Sequence, residues 1–292
     1  MKHNIIYYSD ELHDEFAFDT IQPRKIGKEY IYVYHSAFKR FTRFFWYRIV
    51  ALPLAEAYLK LHFHHKVINK SIFKQLRHTA FFMYGNHTHN MCDALIPTLI
   101  SFPCSVYVIV NANNVSMPVL GKITPSLGAI PLPDDRESTK NFLDCIKTRV
   151  AENRCITIYP EAHIWPFYTK IRPFVSTSFR YPVEYNVPCV CFTNVYRKRK
   201  FSKVPQIVTY VDGPFYPDKS LSAKDQREDL RNKAYAAMSE RAKMNTIEII
   251  KYVKKEGTEQ PAVEQPSPSG QRTQTATSQT MPPVQTSAEV HS

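Results

Sequence analysis

Glycine is scarce, with seven in 292 residues, and it is arranged in neither a GxGxxG nor a GxxxxGK[ST] pattern. The Gly-rich turns that bring a backbone close to phosphates in dinucleotide and P-loop enzymes are therefore missing, which sets both classes aside. No GxSxG is present, so the strained elbow that presents a nucleophilic serine is absent too. The six cysteines, Cys92, Cys104, Cys145, Cys155, Cys189 and Cys191, contain no CxxC pair, and the polar opening MKHNIIYYSDELHDEF does not read as a secretory signal. A reducing cytosol is the expected compartment. No apolar run approaches the roughly 20 residues that cross a bilayer. The best candidate, FFWYRIVALPLA, is short and carries an arginine.

What the chain does have is a core's worth of apolar side chains and an excess of positive charge. Hydrophobic residues make up 43%, and 38 Lys and Arg stand against 26 Asp and Glu, a formal charge of +12. Such a surplus favours anionic partners without choosing among nucleic acid, phospholipid and acidic carrier protein. From about Gly257 the composition turns to Pro, Gln, Ser and Thr, which cannot bury enough surface to offset ordering entropy, so a disordered tail is expected. The segment from Glu256 holds four Glu and one Arg, so the body before it carries +15.

Residues 37–65, AFKRFTRFFWYRIVALPLAEAYLKLHFHH, mix rings and aliphatics with cations on a helical pattern. A helical hairpin broken at Pro53 is expected, with a greasy face either packed on the body or lying in a membrane interface where Arg43, Arg48 and Lys60 meet anionic lipid. The adjacent HFHH, His62–His65, is read as the end of that helix rather than a metal tract. Downstream, apolar runs alternate with helical stretches as in α/β proteins. Strands are predicted at 80–84, 105–110, 129–132, 155–159, 188–195 and 206–211, and helices at 93–100 and 138–152. A long charged helix is expected after Ser222, with Asp225 at the third position of its cap and Leu230, Ala234, Ala237 and Met238 turned to the sheet. The predicted fold is α/β, a mixed, mostly parallel sheet flanked by helices. The expected divisions are an N-terminal segment with interface helices (1–70), a catalytic domain (71–255) and the tail (256–292).

Two strand exits concentrate chemistry. FFMYGNHTHNMCDALIP runs from an apolar strand through Gly85 and Asn86 to His87, Thr88, His89 and Asp93 at a helix start. Polar groups leaving strand ends face the crevice where α/β proteins bind ligands. A carboxylate holding one imidazole nitrogen fixes the tautomer and leaves the other nitrogen a base. Taken alone, the bland alternative is a helix-capping Asp93 among loop histidines. The second exit, CITIYPEAHIWPFYTKIRPF, brings Tyr159, Glu161 and His163, followed by Lys170 and Arg172, a set suited to an anionic ligand. Between the two lies a stretch with Lys122, Gly128 and Arg136.

In this order the segments resemble the lysophosphatidic acid acyltransferase family of glycerolipid acyltransferases, over roughly residues 75–240. Asn86-His87 with Asp93 is similar to that family's first motif, Lys122–Leu132 to the second, Tyr159-Pro160-Glu161 to the third, and Val187-Pro188-Cys189-Val190 to the fourth. The resemblance implies transfer of a fatty acyl group from acyl-CoA or acyl carrier protein to the hydroxyl of a lysophospholipid acceptor. It implies His87 as base and Asp93 as its orienting acid, with no cofactor and no metal. Two departures stand out. Five residues separate His87 from Asp93 where the family has four, which requires a one-residue bulge and leaves His89 as an alternative base. After Glu161 the family's Gly-Thr-Arg is replaced by Ala162, His163 and Ile164. The expected substrate-binding set is therefore Lys122, Arg136, Glu161, His163, Lys170 and Arg172.

With no GxSxG and no cysteine beside an evident activating group, direct transfer is favoured over an acyl-enzyme route. The resemblance and the basic body together imply peripheral attachment to an anionic membrane surface, on the cytoplasmic face. A rival reading makes His87-Thr88-His89, with Asp93, Glu161 and His163, the zinc site of a hydrolase. Another uses Tyr196-Arg197-Lys198-Arg199-Lys200 to bind nucleic acid, but no groove-reading motif accompanies that run, and no nucleic-acid partner is expected.

Overall fold

The computed structural model describes residues 4–17, 21–34 and 36–255. The tail expected to be disordered lies outside the described residues. In chain order the elements are β1 (Asn4–Tyr8), α1 (Ala37–Phe44), α2 (Leu52–Phe63), β2 (Lys66–Ile68), α3 (Ile72–Gln75), β3 (Phe81–Gly85), α4 (Asn90–Ile100) and β4 (Val106–Val110). There follow α5 (Asn113–Ser116), α6 (Leu120–Ile123), β5 (Ala129–Pro131), α7 (Arg136–Ala151), β6 (Cys155–Ile158), α8 (Arg180–Glu184), β7 (Cys189–Arg199), β8 (Ser202–Phe215), α9 (Ala223–Ala242) and β9 (Ile250–Lys254).

Seven strands form one sheet in the order β2-β8-β7-β3-β6-β4-β5. All neighbouring pairs are parallel except β7 with β8, so the mixed, mostly parallel sheet read from the sequence is present. β3 reads as an unbroken apolar run because it lies between parallel neighbours with both faces covered, and all five of its residues are buried. Its side chains alternate between the two layers. Phe82 and Tyr84 pack with Phe142 and Ile146 of α7 and Leu230 and Met238 of α9. Phe81 and Met83 pack with Leu59 and Phe63 of α2 and Cys92 and Ile96 of α4.

The helix starts follow from side-chain caps. Asp135 accepts from the Ser138 amide at 2.8 Å while Ser138 Oγ accepts from the Asp135 amide at 3.1 Å, which begins α7 two residues before the predicted position. Ser222 Oγ accepts from the Asp225 amide at 3.2 Å, as expected for the last long helix. Leu230, Ala234 and Met238 are its buried stripe.

The hairpin expected at Pro53 is not formed. A π-helical run, Phe45–Ala51, joins α1 to α2, and the junction residues Phe45 and Leu52 keep right-handed helical dihedrals. A proline lacks the donor for the preceding turn, and its ring strikes the carbonyl four residues back. The wider π turn just upstream of Pro53 shifts the hydrogen-bond register there, and the helix runs on. Three strands were not anticipated: β2, which adds in parallel to the β8 edge of the main sheet, and β1 and β9, which pair in parallel as a separate two-stranded sheet, Asn4 opposite Ile250 and Tyr8 opposite Lys254.

Candidate active site

β3 and β6 are parallel neighbours, so their C-terminal ends release His87 and the Tyr159–Glu161 turn side by side. His87 Nδ1 lies 2.9 Å from Asp93 Oδ2. The same oxygen accepts from the backbone N–H groups of Thr88 (2.8 Å) and His89 (2.9 Å), and Oδ1 accepts from Asn194 Nδ2 at 3.4 Å. Asp93 is 1% exposed, and these donors answer the cost of burying a carboxylate. The extra residue between His87 and Asp93 is taken up by an extended His89, which caps α4 and whose Nδ1 accepts from the Cys92 amide at 3.3 Å. With Nδ1 so used and its ring edge-on to Phe63 and Phe167, His89 has a capping and packing role. Burial lowers its pKa below the ordinary histidine value.

The carboxylate on Nδ1 puts the neutral imidazole's proton there and leaves Nε2 as the acceptor. Among the described residues Nε2 has no protein partner, and the side chain is 18% exposed. The ring stacks on Tyr159 at 4.3 Å between centroids, and the Tyr159 hydroxyl donates to the Asp93 carbonyl. The loop backbone is fixed as well, since the His87 carbonyl accepts from the Trp165 amide and the Thr88 carbonyl from the Phe167 amide.

Behind Asp93 runs a chain that the sequence reading missed. Asn86 and Asn194 bond reciprocally, Asn86 Nδ2 to the Asn194 carbonyl (3.0 Å) and the Asn194 amide to Asn86 Oδ1 (2.8 Å). Thr209 Oγ1 donates to Asn194 Oδ1 at 2.7 Å, and His65 Nε2 lies 2.8 Å from that hydroxyl. Because the hydroxyl proton is committed to Asn194, the Thr209 oxygen accepts from a His65 protonated on Nε2. Burial, helped by Lys70, lowers the His65 pKa to about 4.

The expected substrate-binding residues fall in different places. Glu161 is buried and braces the strand exit: Oε2 accepts from the His87 amide at 3.1 Å and Oε1 from the Arg172 amide at 3.2 Å. Burial raises its pKa, and Arg172 and those amides pull it back. Arg172 is 1% exposed, donates to the carbonyls of Glu161, His163 and Glu11, and lies 3.6 Å from Glu161 Oε2. It is the internal counterion of Glu161. His163 Nδ1 contacts Glu15 Oε2 at 2.8 Å, and Trp165 Nε1 donates to the Asp14 carbonyl, so the N-terminal segment packs over this loop. Ala162 takes φ 64, the left-handed conformation, where the resembled pattern has glycine. Lys170 is exposed on the connection after β6, and Arg136 is exposed at the start of α7, at the same end of the sheet as His87. Lys122 lines a cavity beside the starts of β4 and β5, away from His87. No group of three His, Cys, Asp or Glu able to hold a metal exists among the described residues, and the proposed zinc ligands are committed to the separate bonds above.

The acyltransferase family model matches residues 65–194, which span both strand exits. Those residues form an acyltransferase domain. His87, Asp93, Glu161 and Asn194, the last residue matched, all lie within it. A solved structure, the 1-acyl-sn-glycerophosphate (LPA) acyltransferase PlsC from Thermotoga maritima, is similar at 16% identity with a TM-score of 0.49, covering 72% of this chain and 89% of that one. No curated protein sequence matches the chain significantly.

Proposed function

We propose that the domain transfers a fatty acyl group from a thioester, acyl-CoA or acyl carrier protein, to the hydroxyl of lysophosphatidic acid or a related lysophospholipid. The observation that carries this reading is the His87–Asp93 pair: a buried, fully bonded carboxylate on Nδ1, and Nε2 turned out at a strand exit with no protein partner among the described residues. Nε2 takes the acceptor's hydroxyl proton as the oxygen attacks the thioester carbonyl, and Asp93 stabilises the imidazolium that forms. Collapse of the tetrahedral adduct expels the thiolate, which takes the proton back from Nε2. The acyl group passes from sulfur to oxygen without resting on the protein. Burial pushes the thiols of Cys92, Cys189 and Cys191 upward in pKa, which suits none of them to act as a nucleophile.

Arg136 and Lys170, exposed at the sheet end where His87 lies, are the cations this reading assigns to the acceptor phosphate. Peripheral attachment at an anionic membrane surface belongs to the same proposal. No helix among the described residues is long and apolar enough to cross a bilayer, and Phe38, Phe41, Phe44 and Ile49 are more than half exposed on the helix that begins at Ala37. The deciding assay incubates the purified protein with a labelled acyl thioester and a panel of lysophospholipids. Wild type acylates lysophosphatidic acid, while His87→Ala loses about 10²- to 10⁴-fold in kcat. Full transfer by His87→Ala removes the proposal.

A further inference from the structure

A cavity of about 770 Å³ lies beside the starts of β4 and β5 and the C-terminal end of α7. These strands run parallel to β3, so the cavity opens at the end of the sheet opposite to the His87 exit. Seven Lys and Arg side chains line it against a single carboxylate, Glu152. Arg43 and Arg149 lie over the Tyr107 ring at 4.0 and 4.4 Å. Arg149 reaches Glu152 at 2.9 Å and Arg154 reaches the same carboxylate at 3.7 Å, which uses up the negative charge. Arg43 Nη2 and Arg149 Nε are buried with no hydrogen-bond partner.

An aromatic face answers part of a guanidinium's charge but accepts no conventional hydrogen bond, so the desolvated donors remain costly. A ligand supplying several anionic oxygens removes that cost, and guanidinium forks match phosphate geometry. The π run contributes to the shape: its wide turn keeps Tyr47 and Arg48 beside Arg43, and the Tyr47 hydroxyl, accepting from the Val106 amide at 3.0 Å, pins the helix to β4. Phe38 and Phe44 form part of the wall while being 73% and 56% exposed. An apolar rim of that kind around a cationic floor fits an amphiphile that presents its phosphate from a lipid surface.

We propose that this cavity binds the phosphate of an anionic phospholipid headgroup, at a site separate from the acyl-transfer centre. The test measures co-sedimentation with phosphatidylcholine vesicles containing phosphatidic acid or, at matched surface charge, phosphatidylserine. It also measures thermal shifts with soluble glycerol 3-phosphate and inorganic phosphate. Wild type is expected to prefer phosphatidic acid, and Arg43→Gln and Arg154→Gln each to reduce that preference roughly tenfold. A shift by the soluble phosphates that depends on Arg43 supports the same phosphate site with a free source; no such shift, with the vesicle preference intact, assigns it to the lipid. Preference for phosphatidic acid that is absent in wild type, or unchanged in both variants, overturns the proposal. If Arg43→Gln fails to fold, Arg154→Gln, whose side chain is 42% exposed, carries the test. His87→Ala binds like wild type, so failure of the acyl-transfer reading leaves this result standing.

Discussion

Asp93 Oδ1 has one donor from a side chain, Asn194, and Asn194 is itself held by Asn86 and Thr209. Asn194→Ala therefore frees one edge of the carboxylate without touching His87. The expected outcome is a loss of about tenfold in kcat with KM for the thioester little changed, and Asn194→Gln fails to restore it because the longer amide cannot keep the reciprocal bond to Asn86. Steady-state kinetics on the three proteins checks this. His65, at the far end of the chain, titrates with stability. Its folded pKa, about 4, lies below the unfolded value near 6.5, so the unfolded chain binds the proton first. This contribution is complete above about pH 6.5, is lost as pH falls toward 4, and amounts to roughly 3 kcal/mol at most. Urea unfolding at a series of pH values is expected to show that slope, flattened in His65→Gln. At this scale the sequence was readable where the partners are neighbours: His87 and Asp93 are six residues apart at one strand exit. Asn194, Thr209 and His65 were not, because only the antiparallel pairing that sets Asn194 opposite Thr209, and the parallel pairing of β2 with β8, bring them together. The burial of Glu161 and Arg172 against each other was not legible for a related reason: a run of charges after a strand does not say whether the loop folds back and buries them.

Elements were legible where burial is two-sided. Apolar runs such as FFMYG and CITI announce central strands because neither face meets water, while β1 and β9 have exposed positions and depend on each other from opposite ends of the chain. The π run was invisible, since helical periodicity does not distinguish it from a break at Pro53. The exit of β3 makes a stringent demand of its own. A Cβ at Gly85 would stand 2.2 Å from Cζ of the fully buried Phe192 ring, so the strand that delivers His87 passes closer to β7 than any side chain allows. Gly85→Ala is expected to destabilise by about 3 kcal/mol. Adding Phe192→Leu recovers part of that loss, a coupling readable as non-additive denaturant midpoints across the double-mutant cycle. Additive midpoints argue that the close approach is not the cause.

At the scale of the whole molecule, two forces bear on where the domain works. The body before Glu256 carries +15, and the helix from Ala37 onward leaves Phe38, Phe41 and Phe44 exposed beside that charge. Electrostatic attraction to anionic headgroups is worth about 1 kcal/mol per basic residue near the surface and fades within a Debye length, so salt weakens it. Inserting a phenylalanine ring is worth roughly 1.5 to 3 kcal/mol, and salt does not screen it. The two are therefore separable by ionic strength. Flotation with anionic vesicles is expected to show wild type bound at low salt and partly retained at high salt, whereas Phe38→Ser/Phe41→Ser binds at low salt and is released as salt rises. If the double variant keeps the wild-type salt profile, the rings do not enter the lipid and attachment is charge alone. If wild type fails to float even at low salt, the domain does not meet its acceptor on a bilayer. In the proposed reaction the acceptor would then reach Nε2 of His87 as a dispersed monomer.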